Sequence, residues 1–149
     1  MDVATLPFID EHFVHVAAPA DTVWRHIGVA LGRSGAASRV AGLLLAVVPR
    51  RASGDPLVEG ATLPGFSVRD AVPGDRLVLA GRHRFSEYAL ILTLVDTPGG
   101  TRLSAATHAH FPGVRGRLYR ALVISSGAHR VLLVRMLRGI RRSAEADAV

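Results

Sequence analysis

The sequence predicts a single α+β domain in which a curved antiparallel sheet wraps around one long C-terminal helix, with two short helices after the first strand. Three observations carry that expectation. Apolar residues alternate at period two through successive runs between residues 56 and 111, the spacing of half-buried strands. Turn signals at Pro64-Gly65, Pro73-Gly74 and Pro98-Gly99 separate those runs, and short turns between consecutive strands make an antiparallel meander. After Pro112-Gly113 the period becomes helical and holds from about Gly116 to Arg142, roughly 39 Å at 1.5 Å per residue.

The elements follow in order. His12 to Val16 alternates as a strand, with His12, Val14 and Val16 on one face and Phe13 and His15 on the other. Pro19 suits a first helical position, where its missing N–H costs nothing. Asp21 then lies in the first turn, where a carboxylate meets the positive helix end. That helix carries Val23, Trp24 and Ile27 and stops near Gly32. "GAASRVAGLLLAVV" (residues 35–48) predicts a second short helix ended by Pro49, and "RRASGDP" predicts a loop. The strand-like runs are "PLVEGATL", "FSVRDAV", "RLVLAGRHRF", "YALILTLVD" and "TRLSAATHAHF". There is no internal repeat and no linker, so residues 1–149 are one domain's worth of chain.

Composition narrows the function. Hydrophobic residues make up 49% and charged residues 20%, as in an ordinary globular protein. The longest apolar run, "VAGLLLAVV", falls well short of the roughly 20 residues that span a bilayer, so no membrane insertion is expected. The N-terminal stretch "MDVATLPFIDEHF" has acids where an export signal would be basic; a cytoplasmic location is the expectation. The absence of cysteine excludes disulfides, thiolate metal sites and cysteine nucleophiles. The net charge is +6, and every basic residue is arginine. That fits either a GC-rich codon usage or an arginine surface for phosphates or acidic lipids. The arginines lack interleaved aromatics, and a helix that roofs a fold has a charged outer face, so no nucleic-acid partner is expected.

The last hairpin assigns the faces. With Leu94 opposite Leu103, Tyr88, Leu90, Leu92 and Leu94 point with Leu103, Ala105, Thr107, Ala109 and Phe111 toward the helix. Glu87, Arg102, Ser104, His108 and His110 take the opposite, polar face. His108 and His110 have the spacing of half a metal site, but on an outward face without an enclosing fourth ligand, and no metal is expected. On the helix, Leu118, Leu122, Ser125, His129, Leu132, Leu133, Met136 and Ile140 form the inward stripe. His129 thus stands where an aliphatic residue is expected, one turn from Ser125, with the Tyr88 hydroxyl and His12 also inward. Arg84 points inward if strand alternation holds, needing a counter-charge such as Asp70 or an anionic group on a ligand, and is exposed if alternation fails at the strand start. His129 is a buried imidazole satisfied by Ser125, Tyr88 or a carbonyl, a ligand contact, or a general acid/base. It is no nucleophilic triad, since the helix stripe has no acid to orient the ring and no oxyanion donors are identifiable.

The strand-to-helix corner "VHVAAPADTVW", with "PGDRLVL", "GGTRLSAATHAHFPG" and the terminal helix, resembles the SRPBCC, or START-like, superfamily, which includes polyketide cyclase/dehydrase-like proteins. The resemblance covers nearly the whole chain. It implies a helix-grip fold holding an apolar ligand between sheet and helix, with catalysis in only some members. The expected activity is therefore binding of a small or medium hydrophobic molecule by Trp24, Tyr88, Leu92, Leu122, Ser125, His129 and Leu133. The alternative is a cyclase/aromatase-like enzyme acting on a polyketide-type substrate, with His129 as general acid/base and Tyr88 steadying an enolate oxygen. No cofactor is expected, and the chain is a monomer or homodimer.

Overall fold

The computed structural model describes residues 2–33, 48–49 and 51–149. The helix expected over residues 35–48 lies, apart from Val48, outside them. A 3₁₀ turn, Val3–Thr5, precedes β1 (Phe8–Val16) and α1 (Ala20–Arg33). Strands β2 (Thr62–Leu63), β3 (Phe66–Val72), β4 (Arg76–His83), β5 (Ser86–Thr97) and β6 (Gly100–His110) follow. The chain ends in α2 (Gly113–Arg120), a π-helical turn (Ala121–Ser125) and α3 (Ala128–Asp147). No helix among the described residues is long and apolar enough to cross a membrane.

The six strands form one curved antiparallel sheet in the order β1-β6-β5-β4-β3-β2, so the first strand pairs with the last. Register shifts between Phe8 and Asp10 and between Val68 and Asp70 mark bulges, which bend a strand and increase its twist. Leu94 lies opposite Leu103, as the turn predicts, and Leu92 opposite Ala105. Because strand side chains alternate, that register puts Leu77, Leu79, Leu90, Leu92, Leu94 and Leu103 on one buried face. Val23, Trp24 and Ile27 of α1 and Leu133, Leu137, Ile140 and Ala144 of α3 complete the same core cluster. Each large aliphatic side chain buried there contributes about 1.5–3 kcal/mol.

Four expectations are corrected. The single helix over Gly116–Arg142 is broken at Gly127, whose φ of +81° is a left-handed conformation that glycine adopts without a Cβ clash. Just before it, the Ser126 hydroxyl donates to the Leu122 carbonyl and the π-helical turn adds a residue to the helical phase. Winding at 100° per residue fails across such a junction. Leu118, Leu122 and Leu132 are therefore 64%, 65% and 68% exposed, and the inward stripe is Leu133, Leu137, Ile140 and Ala144. Second, most of "PLVEGATL" is turn, because the Asp55 carboxylate accepts the Leu57 N–H at 2.9 Å and closes an Asx-type turn. Third, β1 begins at Phe8, four residues before the expected start. Fourth, the outer sheet face is not simply solvated. Leu6 and Val3 pack on Ala80 and Ala89 there, and Ser104 is buried.

The C-terminal end of α3 is tied to the β1–α1 corner. Glu145 accepts the Ala17 N–H and the Arg141 Nε–H, each at 3.0 Å. Asp147 accepts from His26 at 3.1 Å and from Arg25 at 3.3 Å. These bonds hold both carboxyls below the usual carboxylate range, Glu145 chiefly through Ala17 and Asp147 chiefly through His26. A depressed folded pKa stabilises the fold above the unfolded value, and that contribution is lost as pH falls through the folded value. Replacing Glu145 by Gln and Asp147 by Asn should thus flatten the acid limb of the stability–pH curve. An unchanged acid limb would show that the seam is not held by these charges. The revised stripe has its own check by urea denaturation. Leu137→Ala should cost about 2–5 kcal/mol, and Leu132→Ala less than about 0.5 kcal/mol.

Candidate functional site

Residues on β1, β6 and α3 meet in a polar group set into the apolar inward face. Asp10 lies opposite Thr107 and His12 opposite Ala105, so Asp10 and His12 share the face that Val14 and Val16 bury. The first turn of α3 brings His129 over them. Its Nε2 is hydrogen-bonded to Thr107 Oγ1 at 2.9 Å and stands 3.5 Å from Asp10 Oδ1. A carboxylate only accepts, so His12 Nε2–H donates to Asp10 Oδ2, at 3.1 Å. Asp10 Oδ1 is buried and has no hydrogen-bond partner. The side chains of His12, Asp10 and His129 are 19%, 26% and 24% exposed, neither sealed in the core nor free on the surface. Chemically, the group presents a carboxylate oxygen free of hydrogen bonds beside two imidazoles and a hydroxyl. It can take a hydroxyl or N–H from a bound molecule, or hold a proton.

Asp10 is the residue that sequence reasoning missed. The helix stripe indeed has no acid to orient His129, and the acid comes from β1. The signal was present, since alternation extended two residues back from His12 reaches Asp10. Among the described residues, no group of three His, Asp or Glu side chains has the arrangement of a metal site. His108 turns its ring to Phe8 and the Leu6 carbonyl on the outer face, and His110 is exposed.

Tyr88 is committed elsewhere. Its hydroxyl donates to the Gly65 carbonyl at 2.6 Å, and burial, with Tyr119 nearby, pushes the phenol well above its ordinary range. Gly81 permits that approach, because a Cβ there would stand 1.8 Å from the Gly65 oxygen. No hydrogen bond or ring contact joins Tyr88 to His129 among the described residues. Instead Tyr88 belongs to an aromatic group with Phe66, His83, Phe85, Phe111 and Tyr119 that fastens α2 to the β4–β5 hairpin. Five of the chain's eight Phe, Tyr and Trp residues collect there. His83 Nδ1 accepts the Phe85 N–H at 3.0 Å, so its neutral ring carries the proton on Nε2, 3.0 Å from Ser86 Oγ. Burial lowers its pKa.

The other expected site residues divide cleanly. Trp24, Leu92 and, on α3 itself, Leu133 are buried in the core cluster. Leu122 and Ser125 are exposed, since both precede the break at Gly127, and the Ser125–His129 pairing is not made. Arg84 is exposed in the β4–β5 turn, and Asp70 pairs with Arg76 at 2.7 Å. Arg84 also lines an open cleft of about 340 Å³ with Phe85, Pro112, Val114 and Arg115.

If the Tyr88 hydroxyl serves the Gly65 turn, Tyr88→Phe should lower stability by about 1–3 kcal/mol, the cost of stranding a carbonyl. The His129 ring signals in an NMR spectrum should stay where they are. Unchanged stability with displaced His129 signals would reverse that assignment.

No protein-family model matches the chain, and no curated protein does. Solved structures do. Protein MLL2253 from Mesorhizobium loti is 12% identical with a TM-score of 0.58, over 94% of this chain and 98% of that one. Mll3558 from Rhizobium loti is 19% identical with a TM-score of 0.58, over 90% and 94%. A protein from Rhizobium leguminosarum is 16% identical with a TM-score of 0.55, over 92% and 93%. At such identities the likeness is one of fold, and it extends over nearly the full length of each chain.

Proposed function

We propose that this chain is a helix-grip domain of the SRPBCC, START-like kind. In this reading it holds a small or medium apolar ligand that carries a hydroxyl or N–H, between the inward sheet face and α3. The carrying observation is Asp10 Oδ1, a buried carboxylate oxygen with no hydrogen-bond partner and only a 3.5 Å ion-pair contact with His129. An unsatisfied buried acceptor costs about 1–3 kcal/mol, and a ligand donor placed there recovers that cost through a charge-assisted bond. His12, Thr107 and His129 orient the carboxylate and the donor, and the apolar wall of this reading is drawn from the core cluster that holds Trp24, Leu92 and Leu133. Leu122, Ser125 and the Tyr88 hydroxyl take no part.

The test uses matched apolar compounds with and without a hydroxyl, measured by calorimetric titration. Asp10→Asn and His129→Ala should weaken the hydroxylated compound about tenfold, or 1.4 kcal/mol, and leave the parent hydrocarbon unaffected. Equal loss for both compounds, or no loss for either, would reject the polar anchor.

Asp10 also favours a second reading, the cyclase-like enzyme. There His129 removes a proton from carbon beside a ketone, and Asp10 and Thr107 steady the imidazolium that results. Against it, the expected enolate partner, Tyr88, has given its hydroxyl to Gly65. Turnover of a β-polyketone that survives His129→Ala would remove this reading and leave ligand binding standing.

A further inference from the structure

We propose that the α2 segment and its flanking arginines dock this protein peripherally on an anionic lipid surface. The segment is amphipathic with its apolar side turned to solvent. Wound at 100° per residue, Val114, Leu118 and Ala121 fall within about 60° of one another, with Arg115 and Arg117 on either flank. Gly116 is buried and Tyr119 half-buried on the opposite side, where Tyr119 stacks on Phe85 at 5.6 Å. Val114 and Leu118, with Leu122 in the π-helical turn, are 72%, 64% and 65% exposed. Val131 and Leu132, just beyond Gly127, are 64% and 68% exposed.

The charged side chains along this stretch of the sequence have one sign. Arg115, Arg117 and Arg120 lie in the segment, Arg130, Arg135 and Arg138 are exposed on α3, and no Asp or Glu occurs between Asp96 and Glu145. Among the described residues, none of these six guanidiniums pairs with a carboxylate, the arginine ion pairs being those of Arg25, Arg76 and Arg141. The open cleft beside Val114 adds a second feature. Arg84 and Arg115 line it, and two unpaired guanidiniums beside exposed aliphatic side chains suit a phosphate headgroup with its acyl chains alongside.

Charge complementarity selects the occupant. A second copy of the chain seated on this face by two-fold symmetry would set the arginine flank against itself. Nucleic acid would neutralise the arginines but leave the protruding Val114, Leu118 and Leu122 in water. An anionic bilayer interface satisfies both features together, through apolar insertion at the headgroup boundary and attraction of the basic flank. The inference is independent of the ligand proposed between sheet and α3, and either can fail alone.

Vesicle co-sedimentation tests it. The wild-type protein should bind phosphatidylcholine vesicles containing phosphatidylglycerol and not phosphatidylcholine alone, with binding that weakens as salt rises. Leu118→Ser combined with Leu122→Ser should weaken binding on the order of tenfold, and Arg115→Gln with Arg117→Gln by a similar factor. The comparison of vesicle compositions needs no variant, so it stands whatever the substitutions do to folding. Four results would overturn the proposal. They are equal binding to both vesicle types, no vesicle binding, duplex DNA binding that the leucine variant leaves intact, and a solution dimer that the leucine variant dissolves.

Discussion

The seating of α3 on the curved sheet is the contact on which the rest of the molecule depends. Leu133, Leu137, Ile140 and Ala144, spaced three or four residues apart, place one helix face in the core cluster that the sheet leucines and Val23, Trp24 and Ile27 also enter, with α1 and β1 the elements closest to the helix. At about 1.5–3 kcal/mol for each large side chain, this interface rivals the net stability of a whole domain. The far end is pinned by Glu145 to the β1–α1 corner and by Asp147 to α1 itself, and the near end starts at a left-handed glycine. Helix position and rotation are therefore fixed at both ends and along the middle. A polar residue on its first turn has little choice about where it points.

The polar group beneath that first turn follows from the seating and from one strand register. With Asp10 opposite Thr107, β1 and β6 put a carboxylate and a hydroxyl side by side, and the helix lowers His129 onto both. A core built only for stability would fill the place with aliphatic side chains, because a buried carboxylate needs every lone pair satisfied. Here one oxygen is left over. Such an exception is what a binding site requires, since an oxygen already paired with the protein has nothing to offer a ligand.

Much of the fold was legible in the sequence, for reasons that can be named. Period-two alternation and Pro-Gly turns gave β3 to β6 nearly to the residue, and the Leu94–Leu103 pairing fixed which side chains face the helix. The errors came where one period was carried across a junction. Helical periodicity continued through Ser126 and Gly127, where a π-helical turn and a left-handed residue reset the phase, places Leu118, Leu122 and Ser125 inward, whereas all three are exposed. The site was half legible for a related reason. His129 stood out as a polar interruption of an apolar stripe, whereas Asp10 sat in an acidic, mixed stretch at the bulged start of β1, where alternation carries little contrast. Tyr88 was assigned its face correctly, but its partner, the Gly65 carbonyl, is a backbone group that no side-chain pattern announces.

The central contact is that of the His129 ring, lying between the sheet and α3, with Asp10 and Thr107. Nuclear Overhauser spectroscopy on the isotope-labelled protein measures that directly. Contacts between the His129 ring protons and the Thr107 methyl, with imidazole nitrogen signals of His129 that move in Asp10→Asn while those of His15 and His110 do not, are the predicted result. A His129 ring without such contacts, and with signals indifferent to Asp10→Asn, would contradict it.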